Sequence, residues 1–418
     1  MNDQPSLHQF SRPNSDFKIL LLENIHASAV DALRDAGFTR IECHPKSLPD
    51  QDLQKRLRTT HFIGIRSRTH LHEGLIAAAP ELRGIGCFCI GTNQVDLHAA
   101  KQRGVPVFNA PFSNTRSVAE LVIAEAILLL RDVPRKSAHA HRGIWEKSAS
   151  GSFEVRGKSL GIVGYGHIGT QVGLLAESLG MRVFFHDIQT KLALGNATPV
   201  RRLNNLLEQV DVVTLHVPEA PDTFNLIAAE QIARMQPGSI LINASRGTVV
   251  DIAALSAALE SEHLRGAAID VFPQEPSSNE ERFESPLQAF DNVVLTPHVG
   301  GSTEEAQQSI GIEVAEKLIK FNDNGSTLSA VNFPQVSLPG HQGTYRLLHI
   351  HRNQPGVLAA INAVFSGSGI NIAGQFLQTD ETLGYVVVDF DMDESFNVAQ
   401  LEQLKQIDGT LRARILSR

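Results

Sequence analysis

From residue 17 onward, short apolar runs alternate with amphipathic stretches. The runs at 17–22, 61–65, 83–87 and 105–108 are brief and rich in Ile, Leu, Val and Phe, which predicts buried strands. Between them, 27–35, 71–79 and 95–103 carry apolar residues at helical spacing. Strands alternating with helices of this length predict βαβ units and a mostly parallel sheet. The pattern then restarts. A long helix is predicted over 115–133, opened by Asn114, a residue type that caps helix N-termini well. Strands follow at 159–163, 182–186, 212–216, 240–243, 267–270 and 293–296, with helices between most of them and a further helix over 303–322. Six strands of this kind suffice for a complete doubly wound sheet.

The order changes near the C-terminus. Residues 325–343 are rich in Ser, Pro, Asn and Gly without a period, and read as an interdomain linker. Beyond it the pattern predicts strand 345–351, helix 356–366, strands 370–379 and 384–391, helix 398–407 and strand 410–416. That is βαββαβ, the ferredoxin-like order. Residues 1–16 are polar and read as a flexible tail.

One loop carries nucleotide chemistry. Gly164-x-Gly166-x-x-Gly169 follows the apolar strand Leu160-Gly161-Ile162-Val163 and runs into a predicted helix. The first glycine allows a tight turn and the second lets backbone approach a pyrophosphate. The third lets helix and strand pack closely. The free N–H groups of the helix start face the phosphates, with His167 and Ile168 in that first turn. Asp187 ends the next strand, where a carboxylate binds ribose hydroxyls and repels the extra phosphate of NADP. NAD is therefore the expected cofactor.

Bulk properties narrow the class. At 418 residues the chain exceeds one core. Hydrophobic content of 42% and charged content of 20% suit an ordinary globular protein. A net charge of −8 and a pI near 6.1 argue against nucleic-acid binding. The longest apolar stretch, 121–130, is broken by Glu125 and is far shorter than the ~20 residues of a membrane span. The three cysteines, Cys43, Cys87 and Cys89, form no CxxC pair, so a reducing, cytoplasmic setting and no metal are expected.

Three side chains suit hydride chemistry on a hydroxy acid. The alcohol must lose a proton to a base as hydride leaves the same carbon. His298, in Thr296-Pro297-His298-Val299-Gly300-Gly301, stands just past the last strand and titrates near neutrality. Arg246, in Asn243-Ala244-Ser245-Arg246-Gly247, offers a planar fork to a carboxylate and a developing oxyanion. Glu275, between prolines in an irregular loop, is able to bond the imidazole and raise its basicity. With 17 histidines in the chain, a lone histidine means little. All three on loops after strands of one sheet, downstream of the glycine loop, mean much more.

These residues, with Ile65-Arg66-Ser67-Arg68-Thr69, Cys87-Phe88-Cys89-Ile90-Gly91-Thr92-Asn93 and Asn353-Gln354-Pro355-Gly356, resemble the D-2-hydroxyacid dehydrogenase family from about Phe17 to the end. The resemblance is specifically to its short bacterial branch that acts on 3-phosphoglycerate. The resemblance implies oxidation of 3-phospho-D-glycerate to 3-phosphohydroxypyruvate with NAD, at the head of serine biosynthesis. It implies that Arg246, Glu275 and His298 are catalytic. Ala244, Ser245, Asp270, Val299, Gly300 and Gly301 would join Arg246 and His298 around the cofactor. Arg66, Ser67, Arg68, Ile90, Gly91, Asn114 and Lys147 would meet the substrate anions.

The same resemblance implies a flavodoxin-like substrate domain, residues 17–111 and 299–330, interrupted by a Rossmann domain, 112–298. The active site would lie in the cleft between them. A linker, 331–343, would lead to an ACT regulatory domain, 344–418. There His351, Asn353 and Asn371 would bind an amino-acid effector, L-serine, and paired domains would build a homotetramer. Two other readings stay open: another 2-hydroxyacid dehydrogenase, such as a 2-oxoglutarate reductase, and a non-catalytic NAD-sensing scaffold.

Overall fold

The computed structural model describes residues 12–276, 280–340, 345–391 and 396–417. Its contacts divide the chain into two compact units, Met1–Ser113 with Gln307–Arg418, and Asn114–Ala306.

The first unit opens with a parallel sheet: β1 (Lys18–Leu21), β2 (Arg40–Cys43), β3 (Phe62–Ile65), β4 (Gly84–Cys87) and β5 (Val107–Asn109), in the order β2-β1-β3-β4-β5. This is the flavodoxin-like strand order. β1, β3 and β4 are buried on both faces and were legible as apolar runs. β2, Arg-Ile-Glu-Cys, is a half-exposed edge strand with no apolar run to announce it. The helix Glu304–Asn324 returns from far along the chain to seal this sheet, its Val314 and Leu318 lying against Gly86. A Cβ at Gly86 would stand 2.7 Å from Val314, so the glycine sets how closely this helix approaches.

The period-less segment after that helix is not a loose tether. Phe333, Val336 and Leu338 are buried in the same core. Asn332 fastens the segment to the sheet: its Oδ1 accepts from Val107 N at 2.8 Å and its Nδ2 donates to Val105 O at 3.0 Å. Such a strap has no helical or strand period because side-chain bonds, not a ladder, satisfy it. Likewise, Asn14 near the chain start bonds Ala36 O at 2.7 Å and accepts from Asn322 at 2.8 Å. Residues 1–11 and 341–344, the rest of the expected tail and linker, lie outside the described residues.

The C-terminal part of this unit is β13 (Tyr345–Arg352), β14 (Ile372–Thr379), β15 (Leu383–Phe390) and β16 (Thr410–Ser417), with helices Val357–Gly367 and Val398–Gln406. The antiparallel order is β14-β15-β13-β16, so the βαββαβ expectation holds.

The second unit is a seven-stranded sheet of β6 (Ser159–Val163), β7 (Arg182–His186), β8 (Thr198–Pro199), β9 (Val212–Leu215), β10 (Ser239–Asn243), β11 (Leu264–Ile269) and β12 (Val293–Leu295). All pairs are parallel, in the order β12-β11-β10-β9-β6-β7-β8. The order reverses between β6 and β9, the switch point where such sheets bind ligands beyond their C-terminal ends. Six strands were legible. β8 was not, being two exposed residues, one of them proline.

Candidate active site

The three glycines of the 164–169 loop play three different steric roles. Gly164 has φ +91°, and a Cβ there would meet His216 O at 2.4 Å. Gly169 opens no such angle, but its Cβ would collide with Gly164 O at 2.2 Å, so helix His167–Ser178 can sit against the loop only without a side chain. Gly166, the N-cap, faces open space, with nothing within 4 Å of a Cβ. Backbone N–H groups at a bare helix start are what a pyrophosphate requires. Asp187 stands beside them: its Oδ2 accepts from Tyr165 N and its Oδ1 from Gln189 N, both at 2.8 Å. The carboxylate is thus fixed by the glycine loop itself. These residues fit a dinucleotide.

Beyond β11 and β12 lies the second half of the site. Asp270 is buried, and its carboxylate gathers the 296–300 loop. Thr296 Oγ1 donates to Oδ1 at 2.6 Å, Val299 N to Oδ1 at 2.8 Å, and Gly300 N to Oδ2 at 2.8 Å. The loop turns through His298 at φ +55°, a strained angle for a side-chain-bearing residue. That turn presents the half-exposed imidazole to Glu275, whose Oε2 is 2.9 Å from Nδ1. The bond to this carboxylate, partly offset by burial, raises the histidine above its ordinary value. Burial pushes Glu275 up, but the bond from His298, its charge, Phe272 N and Arg246 outweigh this and hold the carboxyl low. An Nδ1–H bound to a carboxylate leaves Nε2 as the proton acceptor.

Arg246 sits on the turn after β10. Asn243 shapes that turn, accepting from Ser245 N at 3.1 Å and Oγ at 2.8 Å while donating to Arg246 O at 3.0 Å. Arg246 Nη1 donates to Ser245 O at 2.7 Å, and its charge is among those that lower Glu275. Ala244, Ser245, Arg246, Asp270, Glu275, His298, Val299 and Gly300 therefore occupy turns at one end of adjoining strands. Gly301 lies close to Asn114, whose amide a Cβ there would strike at 2.2 Å. Asn114 does occupy the N-cap of helix Thr115–Leu130, yet its side chain makes no cap bond.

In the first unit, Arg66, Ser67 and Arg68 follow β3. Glu23 organises their loop, and pattern reading missed it: its carboxylate accepts from Arg66 N at 3.2 Å, Arg68 N at 2.9 Å and Thr69 N at 2.8 Å. The signal was available, since Glu23 is a carboxylate directly after the first buried strand. Gln94 Nε2 ties this loop to the Ile90–Gly91 turn, donating to Arg66 O at 2.7 Å and Gly91 O at 3.2 Å. The two expected anion-binding loops are thus brought together.

Lys147 is different. It lies on an exposed loop beside Trp145, and its basic neighbours are already engaged: Arg135 with Asp132 and Glu146, His139 with Glu146, Arg142 with Asp291. Glu125 was also missed. It is buried in helix Thr115–Leu130, and burial followed by the charge of Asp270 pushes its carboxyl up to about 8. Burial and the neighbouring Asp270 carboxylate thus both favour its neutral form.

Of the effector candidates, His351 is buried with Nδ1 3.4 Å from His349 Nδ1, and Asn353 Nδ2 donates to Asp380 O at 2.7 Å. Both stand at the end of β13. Asn371 precedes β14, level with Tyr345 at the opposite end of the sheet. About six strand residues separate the two ends, or roughly 20 Å. One chain does not bring all three together.

Comparison with known proteins agrees with this geometry. Residues 123–300 match the model of the D-isomer specific 2-hydroxyacid dehydrogenase NAD-binding domain, and 347–412 that of the AHAS small subunit-like ACT domain. The chain is 64% identical over 399 residues to the D-3-phosphoglycerate dehydrogenase of Escherichia coli K12, covering 96% of this chain and 97% of that one. To the Haemophilus influenzae enzyme of the same name it is 59% identical, covering 98% and 99%. Among solved structures, a Thermus thermophilus protein superposes with a TM-score of 0.67 at 31% identity, covering 75% of this chain and all of that one. D-2-hydroxyisocaproate dehydrogenase gives 0.67 at 24% identity, covering 76% of this chain and all of that one, a likeness of fold. No described helix is long and apolar enough to cross a membrane. The chain belongs to the D-isomer specific 2-hydroxyacid dehydrogenases, and its second unit carries the NAD-binding domain of that family.

Proposed function

We propose that this chain oxidises 3-phospho-D-glycerate to 3-phosphohydroxypyruvate, the first step toward L-serine in the cytoplasm. The observation that carries the substrate is the end-to-end likeness to the Escherichia coli enzyme. His298 Nε2 takes the hydroxyl proton, and Glu275 holds the ring in the required tautomer and stabilises the imidazolium that forms. Arg246 holds the substrate carboxylate and the oxygen as it becomes a carbonyl. Bound NAD supplies the hydride acceptor, on the Gly164–Gly169 loop with Asp187 at its ribose. Arg66 and Arg68, on the loop that Glu23 shapes, take substrate anions together with the Ile90–Gly91 turn. Asn114 and Lys147 complete the anion contacts in this reading.

The C-terminal sheet is the regulatory part, binding L-serine through His351 and Asn353. Because Asn371 is at the far end of the sheet, the third ligand comes from a second copy, which fits a homotetramer of paired domains.

The test is NADH formation from 3-phosphoglycerate, with the ketoacid removed, in the presence and absence of serine. Turnover on 3-phosphoglycerate well above that on 2-hydroxyglutarate is expected, with loss on adding serine. The reverse preference would overturn the substrate assignment.

A further inference from the structure

Two arginines of the first unit have their guanidinium groups answered in different ways. Arg346 is fully buried and fully answered: a forked pair to Asp389 at 2.6 and 2.7 Å, and Nη1 to Asn324 O and Pro339 O, both at 3.0 Å. Arg414, on β16, is not. Its Nη2 donates to Phe321 O at 2.9 Å and its guanidinium lies over the Phe321 ring at 4.9 Å, but its Nη1 is buried with no hydrogen-bond partner among the described residues. No carboxylate among the described residues forms an ion pair with it. Arg414 is half-buried and feels the charge of Asp323 only at a distance, so its buried Nη1 is left without a bonded acceptor, which is costly.

Arg414 faces a cavity of about 720 Å³ between β16 and the turns that flank β4 and precede β5. Four arginines (Arg83, Arg103, Arg412 and Arg414) and Lys405 line it, against one carboxylate, Glu81. Glu81 is half exposed and turned toward His61, 3.9 Å away. Lys405 at the rim is paired with Glu402 at 2.8 Å. Arg412 is held by neutral groups only, Nε to Arg103 O at 2.6 Å and a second bond to Leu82 O. Arg83 lies over the Phe17 ring at 4.4 Å. Burial first, then repulsion from neighbouring arginines, pulls Arg83 down to about 9 and Arg412 down to about 10; burial, against the opposing charges of Tyr385 and Asp323, pulls Arg414 down to about 10. The volume falls within the range of about 300–1,000 Å³ typical of small-molecule sites.

We propose that this cavity binds a small metabolite-sized anion bearing two or more negative charges, held by forked bonds from Arg414, Arg83 and Arg103 and distinct from the NAD site. Its occupant joins β16 of the C-terminal sheet to the loops of the parallel sheet, and so stabilises their contact. The proposal does not depend on the identity of the dehydrogenase substrate.

Calorimetric titration of the full-length enzyme with pyrophosphate and, separately, with citrate in low-chloride buffer tests it. Because the proposed active site also takes anions, the measured quantity is the binding lost in variants of the cavity. Arg103→Gln, at the exposed rim, should weaken binding by about tenfold, the scale of a lost charge-assisted contact. Arg414→Met should abolish that binding event and leave NADH turnover intact. A pyrophosphate response with citrate silent assigns phosphoryl groups; the reverse assigns carboxylates. Binding of equal strength in the wild type and Arg103→Gln, or no binding of either anion, would overturn the proposal, even if Arg414→Met does not fold.

Discussion

The His298–Glu275 pair makes a statement about pH. Nδ1 bonds a carboxylate at 2.9 Å, which raises the imidazole above its ordinary 6.5. Alcohol oxidation needs the ring neutral, so kcat/KM should climb with pH and level off above that raised value. Glu275→Gln removes the largest cause of the shift. The climb should then move to lower pH, while the plateau falls by roughly tenfold to a hundredfold because the ring loses its orienting anion. A pH profile of both proteins measures this, and an unmoved inflection would exclude the pairing as the source of the basicity. At this scale the sequence was informative where a candidate residue closely follows a strand. Arg246, Glu275 and His298 follow β10, β11 and β12 in turn. It was silent on Glu125 and offered for Glu23 only a carboxylate just past the first buried strand. Their work lies in backbone bonds made 43 to 46 residues away and in a buried charge balance, which leave no local motif.

At the scale of elements, the glycine loop separates two causes that a motif merges. Gly166 faces open space, whereas a Cβ on Gly169 would overlap Gly164 O at 2.2 Å. Gly166→Ala should therefore keep its stability within about 0.5 kcal/mol. It should still raise the KM for NAD, because the methyl occupies the phosphate approach. Gly169→Ala should lose stability by about 1–3 kcal/mol, as an overpacked contact does. It should weaken NAD as well. Thermal melting and NAD titration of the two variants separate these effects; equal melting temperatures would contradict the steric account. The buried strands of both parallel sheets and the βαββαβ order were legible because apolar runs and turns mark them. β2 and β8 were not, being short, exposed edges. The 325–340 strap was not legible either, since Asn332 and Thr327 fasten it by side-chain bonds that follow no period.

At the scale of the whole molecule, the three residues proposed to bind the effector do not meet within one chain. His351 pairs with Gly384 across β15, and Tyr345 pairs with Phe390, the residue opposite Ile372. Asn371 therefore sits a full strand length from His351 and Asn353. β14, which follows Asn371, is also an outer strand of its sheet among the described residues. If serine is held by His351 and Asn353 of one copy and Asn371 of another, then His351→Ala and Asn371→Ala should each lose inhibition as pure oligomers. Mixed oligomers, made by co-expression, should regain part of it. At a two-chain contact, each His351→Ala subunit meets an Asn371→Ala subunit, which places both substitutions in one site and leaves the other site intact. Inhibition by serine of the mixed oligomer, purified through a different tag on each variant, at an amplitude up to about half that of the wild type, is the expected result. A mixture as insensitive as its parents would mean that the three residues do not share a ligand between chains.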